Sequence, residues 1–187
     1  MTRLLIVGPP GSGKGTQASR ITAALGVVAI STGDIFRANV KELTPLGIEA
    51  KKYMDAGDYV PDSVTNEMVR DRLAQDDVAN GFLLDGYPRT LAQVDELDDI
   101  LKSNGESLDA VILLTADEGE LVARLLKRAE IEGRADDTEE VIRHRLAVYR
   151  EQTEDVVNAY RERDLVREVD GLGELESVTE RILASLA

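Results

Sequence analysis

The chain has 187 residues, 43% hydrophobic and 31% charged, with a formal net charge of −14 and no cysteine. That length suits one domain with a small insertion; the missing cysteine excludes disulfides and thiolate metal sites, and the acidic balance argues against nucleic acid held on a general basic surface. No apolar run approaches the ~18–20 residues of a membrane span, and the apolar start from Met1 to Gly8 is too short for a signal peptide, so the expected setting is the cytoplasm.

In chain order, the short apolar run at 3–7 ends in glycines and reads as a buried strand. A helix from Gly13 to Leu25 and a strand at 27–30 follow. Residues 31–60 carry Gly33, Gly47 and Gly57 and two short helical stretches, ending at Val60-Pro61. A helix at 62–75 begins with Asp62 as its N-cap. Phe82-Leu83-Leu84 is a second buried strand, stopped by Asp85-Gly86-Tyr87-Pro88. Helix 90–103 precedes a third, Ala110–Leu114. Thr115 and Glu118 fit a capping box for helix 116–128, residues 129–136 are polar, and Asp137 with Glu140 caps a long helix at 138–163. A strand near 165–169 and a helix at 174–186 complete the chain.

Short apolar strands alternating with amphipathic helices imply βαβ units, hence a parallel sheet with helices on both faces. Such sheets bind ligands beyond the carboxyl ends of their strands. The loops after Val7, Ile30, Leu84 and Leu114 are therefore expected at one end of the molecule.

The first of these loops carries chemistry. Gly8 to Lys14 has the GxxxxGK spacing of a P-loop, directly after a buried strand and at a helix start. Its glycines let backbone N–H groups turn towards phosphate oxygens at the positive end of the helix, and Lys14 adds a full charge. Gly15 stands where a Ser or Thr is usual and the hydroxyl comes one residue later, at Thr16, so no direct protein ligand to magnesium is assigned. Asp85, at the end of a buried strand, has the place of an acid that organises magnesium through its bound water.

A P-loop alone does not separate a kinase from a GTPase switch. Gly8–Gln17, Ser31–Arg37, Asp85-Gly86-Tyr87-Pro88-Arg89 and Gly133–Asp137 all resemble motifs of the adenylate kinase family, in the right order, and with their spacing the similarity covers essentially the whole chain. The resemblance implies a P-loop NTPase-type α/β core (1–30, 61–126 and 138–187), a monophosphate-binding segment at 31–60 and a short lid at 127–137. It implies phosphoryl transfer from MgATP to AMP, with small nucleotides as partners and no structural zinc; no a/d heptad seam or spare apolar face appears in the sequence, so a monomer is expected, without nucleic acid or membrane. The lid has neither the length nor the cysteines of zinc-bearing relatives.

By the same match, Gly11, Ser12, Gly13, Lys14, Gly15, Thr16, Arg124, Arg128 and Gly173 serve ATP. Thr32, Gly33, Arg37, Asp58, Tyr59, Val60, Gly86, Tyr87, Pro88, Arg89, Gln93, Arg134 and Arg145 serve AMP. Lys14, Asp85, Arg89, Arg128, Arg134 and Arg145 surround the transferring group. Crowded phosphates need such cations, because phosphoryl transfer is mostly alignment and charge stabilisation. Thr32 and Gln93 match positions that contact adenine, and a glutamine amide can pair with adenine's donor and acceptor edge.

Other readings stay open at this point. Arg124, Lys127 and Arg143 compete in register with Arg128 and Arg145. Asp34 braces Arg37 across a helical turn or binds elsewhere, Asp136 and Asp137 are ambiguous, and the lone His144 reads as a solvated surface residue. A UMP/CMP kinase is the nearest rival; a GTPase switch lacks its guanine-reading element here, and a silent binder would have to have lost a phosphate-contacting cation.

Overall fold

The computed structural model describes residues 1–134 and 137–187. Five strands, β1 (Thr2–Val7), β2 (Val28–Ser31), β3 (Gly81–Asp85), β4 (Ala110–Thr115) and β5 (Val166–Asp170), form one sheet in the order β2-β3-β1-β4-β5. Every pairing is parallel. Among the described residues eight α-helices accompany them: α1 (Lys14–Leu25), α2 (Thr32–Lys41), α3 (Pro45–Ala56), α4 (Asp62–Leu73), α5 (Leu91–Ser103), α6 (Glu118–Glu132), α7 (Glu139–Arg161) and α8 (Leu175–Ser185). The expected P-loop NTPase-type layering is present. The capping boundaries are where the sequence reading needs correction.

The period-2 alternation of strands divides the core into two layers. Leu4, Ile6, Leu83, Ile112 and Leu114 face α1 and α8, where Ala18, Ile21, Val178 and Ile182 meet them. Leu5, Val7, Leu84, Val111 and Leu113 face the opposite way, onto Val69, Val94, Leu97, Val157 and Tyr160 of α4, α5 and α7. Both faces being covered explains why the central strands read as continuous apolar runs rather than alternating ones.

Three caps differ from the sequence expectation. Helix α4 is entered from Pro61, with no side-chain cap, and Asp62 is its first helical residue. Asp117, not Thr115, caps α6 by accepting from the Glu120 amide, and that helix runs on to Glu132. Thr138, not Asp137, caps α7 by accepting from the Val141 amide. For α6 and α7 a neighbouring side chain with the same local chemistry fills the cap, and both displaced aspartates, Asp62 and Asp137, turn inward to long-range partners.

A second, smaller apolar cluster holds the 31–60 segment together: Phe36, Ala50 and Val60, with Tyr53 and Met54 against them. Helices α2 and α3 cross so closely at Gly47 that a Cβ there would lie 2.0 Å from the Asn39 carbonyl oxygen. Gly47→Ala should therefore lower the urea midpoint of unfolding, by about 1–3 kcal/mol of stability, since a packed crossing yields only by moving backbone. An unchanged midpoint would mean that the crossing is looser than described.

Candidate functional site

All five strands end at one edge of the sheet, and the cleft is built on the loops that leave them. Residues 8–13 leave β1 and curl into the start of α1; Gly11 (φ +82°) and Gly13 (φ +90°) hold left-handed backbone there. A Cβ at Gly11 would meet Leu125 Cγ at 2.8 Å, so the loop lies directly on α6. Gly86 follows β3 with φ +88°, and a Cβ on it would sit 2.5 Å from Thr32 Oγ1. Only glycine fits between the end of β3 and the start of α2.

Two cavities open from this edge. The first is lined by Pro10, Lys14, Thr32, Gly33, Phe36, Arg37, Met54, Asp58, Tyr59, Val60, Gly86, Tyr87, Arg89, Gln93, Arg145, Tyr149 and Thr153, among others. The second is lined by Gly11, Gly13, Lys14, Gly15, Thr16, Asp34, Arg37, Asp85, Gly86, Arg89, Arg124, Arg128, Glu132, Arg134 and Arg145, among others. Lys14, Arg37, Arg89 and Arg145 line both, so the cavities meet at a wall of four cations. One cavity is rich in apolar and aromatic side chains and the other in charge. That pairing suits a base or sugar on one side and a chain of phosphates on the other.

The cations are individually steered. Arg37 donates to Asp34 Oδ1 at 2.7 Å across one helical turn. Arg89 donates from Nε to the Gly86 carbonyl at 2.8 Å, and its guanidinium carbon lies 4.8 Å from the centroid of the Tyr59 ring. Tyr59 Oη is in turn 3.3 Å from Thr153 Oγ1 on α7. Arg124 leans on Glu120, and Arg134 pairs with Glu132. Arg143, a competitor for the place of Arg145, instead pairs with Glu139 on the exposed face.

Asp137 is the group that sequence reasoning placed wrongly. Its side chain is fully buried, accepting from Arg128 at 2.7 and 2.9 Å through Oδ2 and from Arg145 at 2.5 Å through Oδ1. One carboxylate thus ties the end of α6 to the start of α7 and fixes two of the cleft arginines. The signal was ambiguous because Asp137 precedes Thr138, an equally good cap. Asp136 lies outside the described residues.

His144 is about half exposed, as a surface residue should be, but it is not merely solvated. Its Nε2 is 2.6 Å from Asp58 Oδ1, and its ring edge packs against Gly57. Ser12, Pro88 and Gly173 line neither cavity. The Ser12 amide donates to the Pro9 carbonyl at 3.1 Å, and its hydroxyl is buried without a partner. Gln93, 2% exposed, is a wall of the first cavity rather than an exposed helix residue. Met54, Tyr149 and Thr153 are wall residues that the motifs did not point to, because they come from helix faces without a signature, and Phe36 lies within the Ser31–Arg37 motif but was given no role.

Burial drives the Lys14 ammonium down to about 8; the Asp85 carboxylate opposes that shift, and Arg89, Arg145 and Arg128 add to it. The site holds more positive charge than its own acids balance locally, which is the electrostatic condition for binding a polyanion.

A family profile described as Adenylate kinase matches residues 6–165. The chain belongs to the adenylate kinase family. It is 69% identical over 186 residues to an adenylate kinase of Renibacterium salmoninarum, covering 100% of this chain and 96% of that one. It is similarly 68% identical to an adenylate kinase of Kocuria rhizophila, over 100% and 99% of the two chains. An adenylate kinase of Micrococcus luteus is 63% identical over 100% of this chain and 91% of its own. No group of three or more potential metal-binding side chains occurs among the described residues of this adenylate kinase family member, and no described helix is long and apolar enough to cross a membrane.

Two outcomes follow from the electrostatics. A lysine with its pKa at about 8 is protonated below that pH and a free amine above it, so Lys14 should become half-maximally reactive towards an amine-directed reagent near pH 8. Peptide mass spectrometry after pulse acetylation reads this, and a Lys14 midpoint shared with the other lysines would contradict the burial. Asp137→Ala should cost about 2 kcal/mol in thermal or urea unfolding, less than for wholly buried pairs because both guanidiniums keep some solvent contact.

Proposed function

We propose that the first cavity takes AMP, the second takes the triphosphate of MgATP, and the γ-phosphoryl group passes between them at the shared wall of Lys14, Arg37, Arg89 and Arg145. As a member of the adenylate kinase family the chain interconverts ATP and AMP with two ADP. The observation that carries the assignment of the two nucleotides is the meeting of an aromatic, apolar cavity with a cationic one at those four side chains.

The chemistry asks little of general bases. An oxygen of the AMP phosphate, already ionised, attacks the γ-phosphorus in line; the bond from γ-phosphorus to the β,γ-bridging oxygen breaks, and ADP departs with that electron pair. No proton has to move and no nucleophile of the protein intervenes. The protein's task is to hold two groups of like charge together. Arg37 and Arg89 would hold the acceptor phosphate, their guanidinium forks suiting bidentate contact. Lys14 and the backbone of residues 11–15 would cradle the β- and γ-phosphates. Arg128, Arg134 and Arg145 would neutralise the charge that spreads in transfer.

Magnesium accompanies ATP in this reading and reduces phosphate repulsion when bound. Asp85 and the Thr16 hydroxyl are oxygen donors in the wall of the second cavity, which fits a hard cation that keeps several waters. The division of labour follows: residues 31–60 as the monophosphate-binding segment, 127–137 as a lid that excludes water before transfer, and the remainder as core. The net charge of −14 favours small anions in a local cationic cleft over nucleic acid on an open surface. The large exposed hydrophobic residues are spread along the chain, from Leu43 and Ile48 through Leu91 and Ile131 to Leu175, which suits a monomer, and we place it in the cytoplasm.

The decisive experiment is ³¹P NMR of the protein with magnesium, ATP and each of AMP, UMP, CMP and GMP. ADP should form with AMP; transfer to UMP or CMP in its place would leave the fold and mechanism but overturn the acceptor. Lys14→Ala and Arg89→Ala should each lower kcat/KM by about a thousandfold or more while the thermal unfolding transition stays cooperative. Near-normal activity in either variant would reject the proposed alignment.

A further inference from the structure

Gln93 sits in the first turn of α5, buried, and lines the first cavity. Its Oε1 accepts from the Arg89 backbone amide at 2.6 Å, and its Nε2 donates to Asp62 Oδ1 at 2.8 Å. The other oxygen of Asp62 accepts from the Thr90 hydroxyl at 3.1 Å. A backbone N–H only donates and a carboxylate only accepts. These two fixed partners therefore allow one orientation of the amide. Turning it over would set N–H against N–H and oxygen against carboxylate in a buried place.

A glutamine amide has two N–H donors and an oxygen with two acceptor sites. One of each is spent on Asp62 and Arg89, so one donor and one acceptor remain, in a fixed order. Adenine presents a donor at its 6-amino group beside an acceptor at N1. Hypoxanthine presents the reverse at the same two atoms, an acceptor at O6 beside a donor at N1. A free glutamine satisfies either base by flipping. A locked one does not.

We propose that Asp62 is a positioning residue for acceptor specificity: by locking the Gln93 amide, it makes the first cavity accept a 6-amino purine monophosphate and reject a 6-oxo one. Asp62 itself is not a cavity wall; it acts through Gln93 from the start of α4. The inference rests on the reading above that the acceptor base occupies the first cavity.

The test is steady-state kinetics of the full chain with MgATP and either AMP or IMP, IMP differing from AMP in the exchanged donor and acceptor. Wild type should strongly prefer AMP. In Asp62→Ala the ratio of kcat/KM for AMP to that for IMP should fall by about tenfold or more, because the carboxylate that repels the reversed amide's oxygen is gone and only the Arg89 N–H still opposes the turn. KM for ATP should stay within about twofold. Should Asp62→Ala fail to fold, Asp62→Leu, close in shape and lacking an acceptor, serves instead. An unchanged ratio in a folded variant, even with lowered thermal stability, would overturn the proposal and leave Asp62 a helix-end structural residue. A wild type that uses AMP and IMP alike would also overturn it while leaving the transfer reaction in place; a wild type that uses neither would remove both readings.

Discussion

Like charges brought within a few ångströms repel steeply once water is excluded, and the cleft has to hold such a group before any phosphate arrives. Seven cations among the described residues, Lys14 and Arg37, Arg89, Arg124, Arg128, Arg134 and Arg145, line the second cavity. What makes this tolerable is a matching set of acceptors placed behind them. Asp137 takes two arginines, Asp34 takes Arg37, the Gly86 carbonyl and the Tyr59 ring take Arg89, and Lys14 shifts towards its neutral form. Each support also sets a direction. The guanidiniums are aimed before a nucleotide binds, so less ordering cost falls on the binding step.

The parallel sheet is what brings those supports to one place. Its strands deliver Gly8, Ser31, Asp85, Thr115 and Asp170 to a single edge, where chain segments far apart in sequence come within hydrogen-bonding reach. The sheet is rigid because both of its faces are buried. The loops can therefore differ in chemistry, with glycines where backbone must come close and acids where arginines need holding.

Much of this was legible in the residue order. The P-loop and the Asp85–Arg89 run carry local signatures, since their chemistry depends on spacing within one loop. The parallel sheet followed from apolar runs such as Ala110–Leu114 alternating with amphipathic helices. The roles of Asp62 and Asp137 were not legible. Each stands at a helix start, where an N-cap is the ordinary meaning of aspartate, and their actual partners, Gln93 and Thr90 for one and Arg128 and Arg145 for the other, lie 8 to 31 positions away. Local rules rank neighbouring cap candidates poorly when tertiary contacts compete for one of them. His144 shows the same limit: surface exposure was the correct reading, while its contact with Asp58, 86 positions away, has no local trace.

Helix α7 packs against the 31–60 segment along one side of the cleft. Gly57 and Asp58 rest on Val141, His144 and Arg145, and Tyr59 reaches Thr153. This seam includes the packing at Gly57, the half-exposed His144–Asp58 pair and the Tyr59–Thr153 hydroxyl pair. Exposed pairs of that kind contribute about 0–1 kcal/mol each. By contrast, the cluster of Phe36, Ala50 and Val60 inside the 31–60 segment is apolar and buried. The segment thus owes its shape to its own apolar cluster and little to α7, so a substitution in the cluster and one in the seam have different reach: the first loosens the segment itself, the second only its lean on the helix.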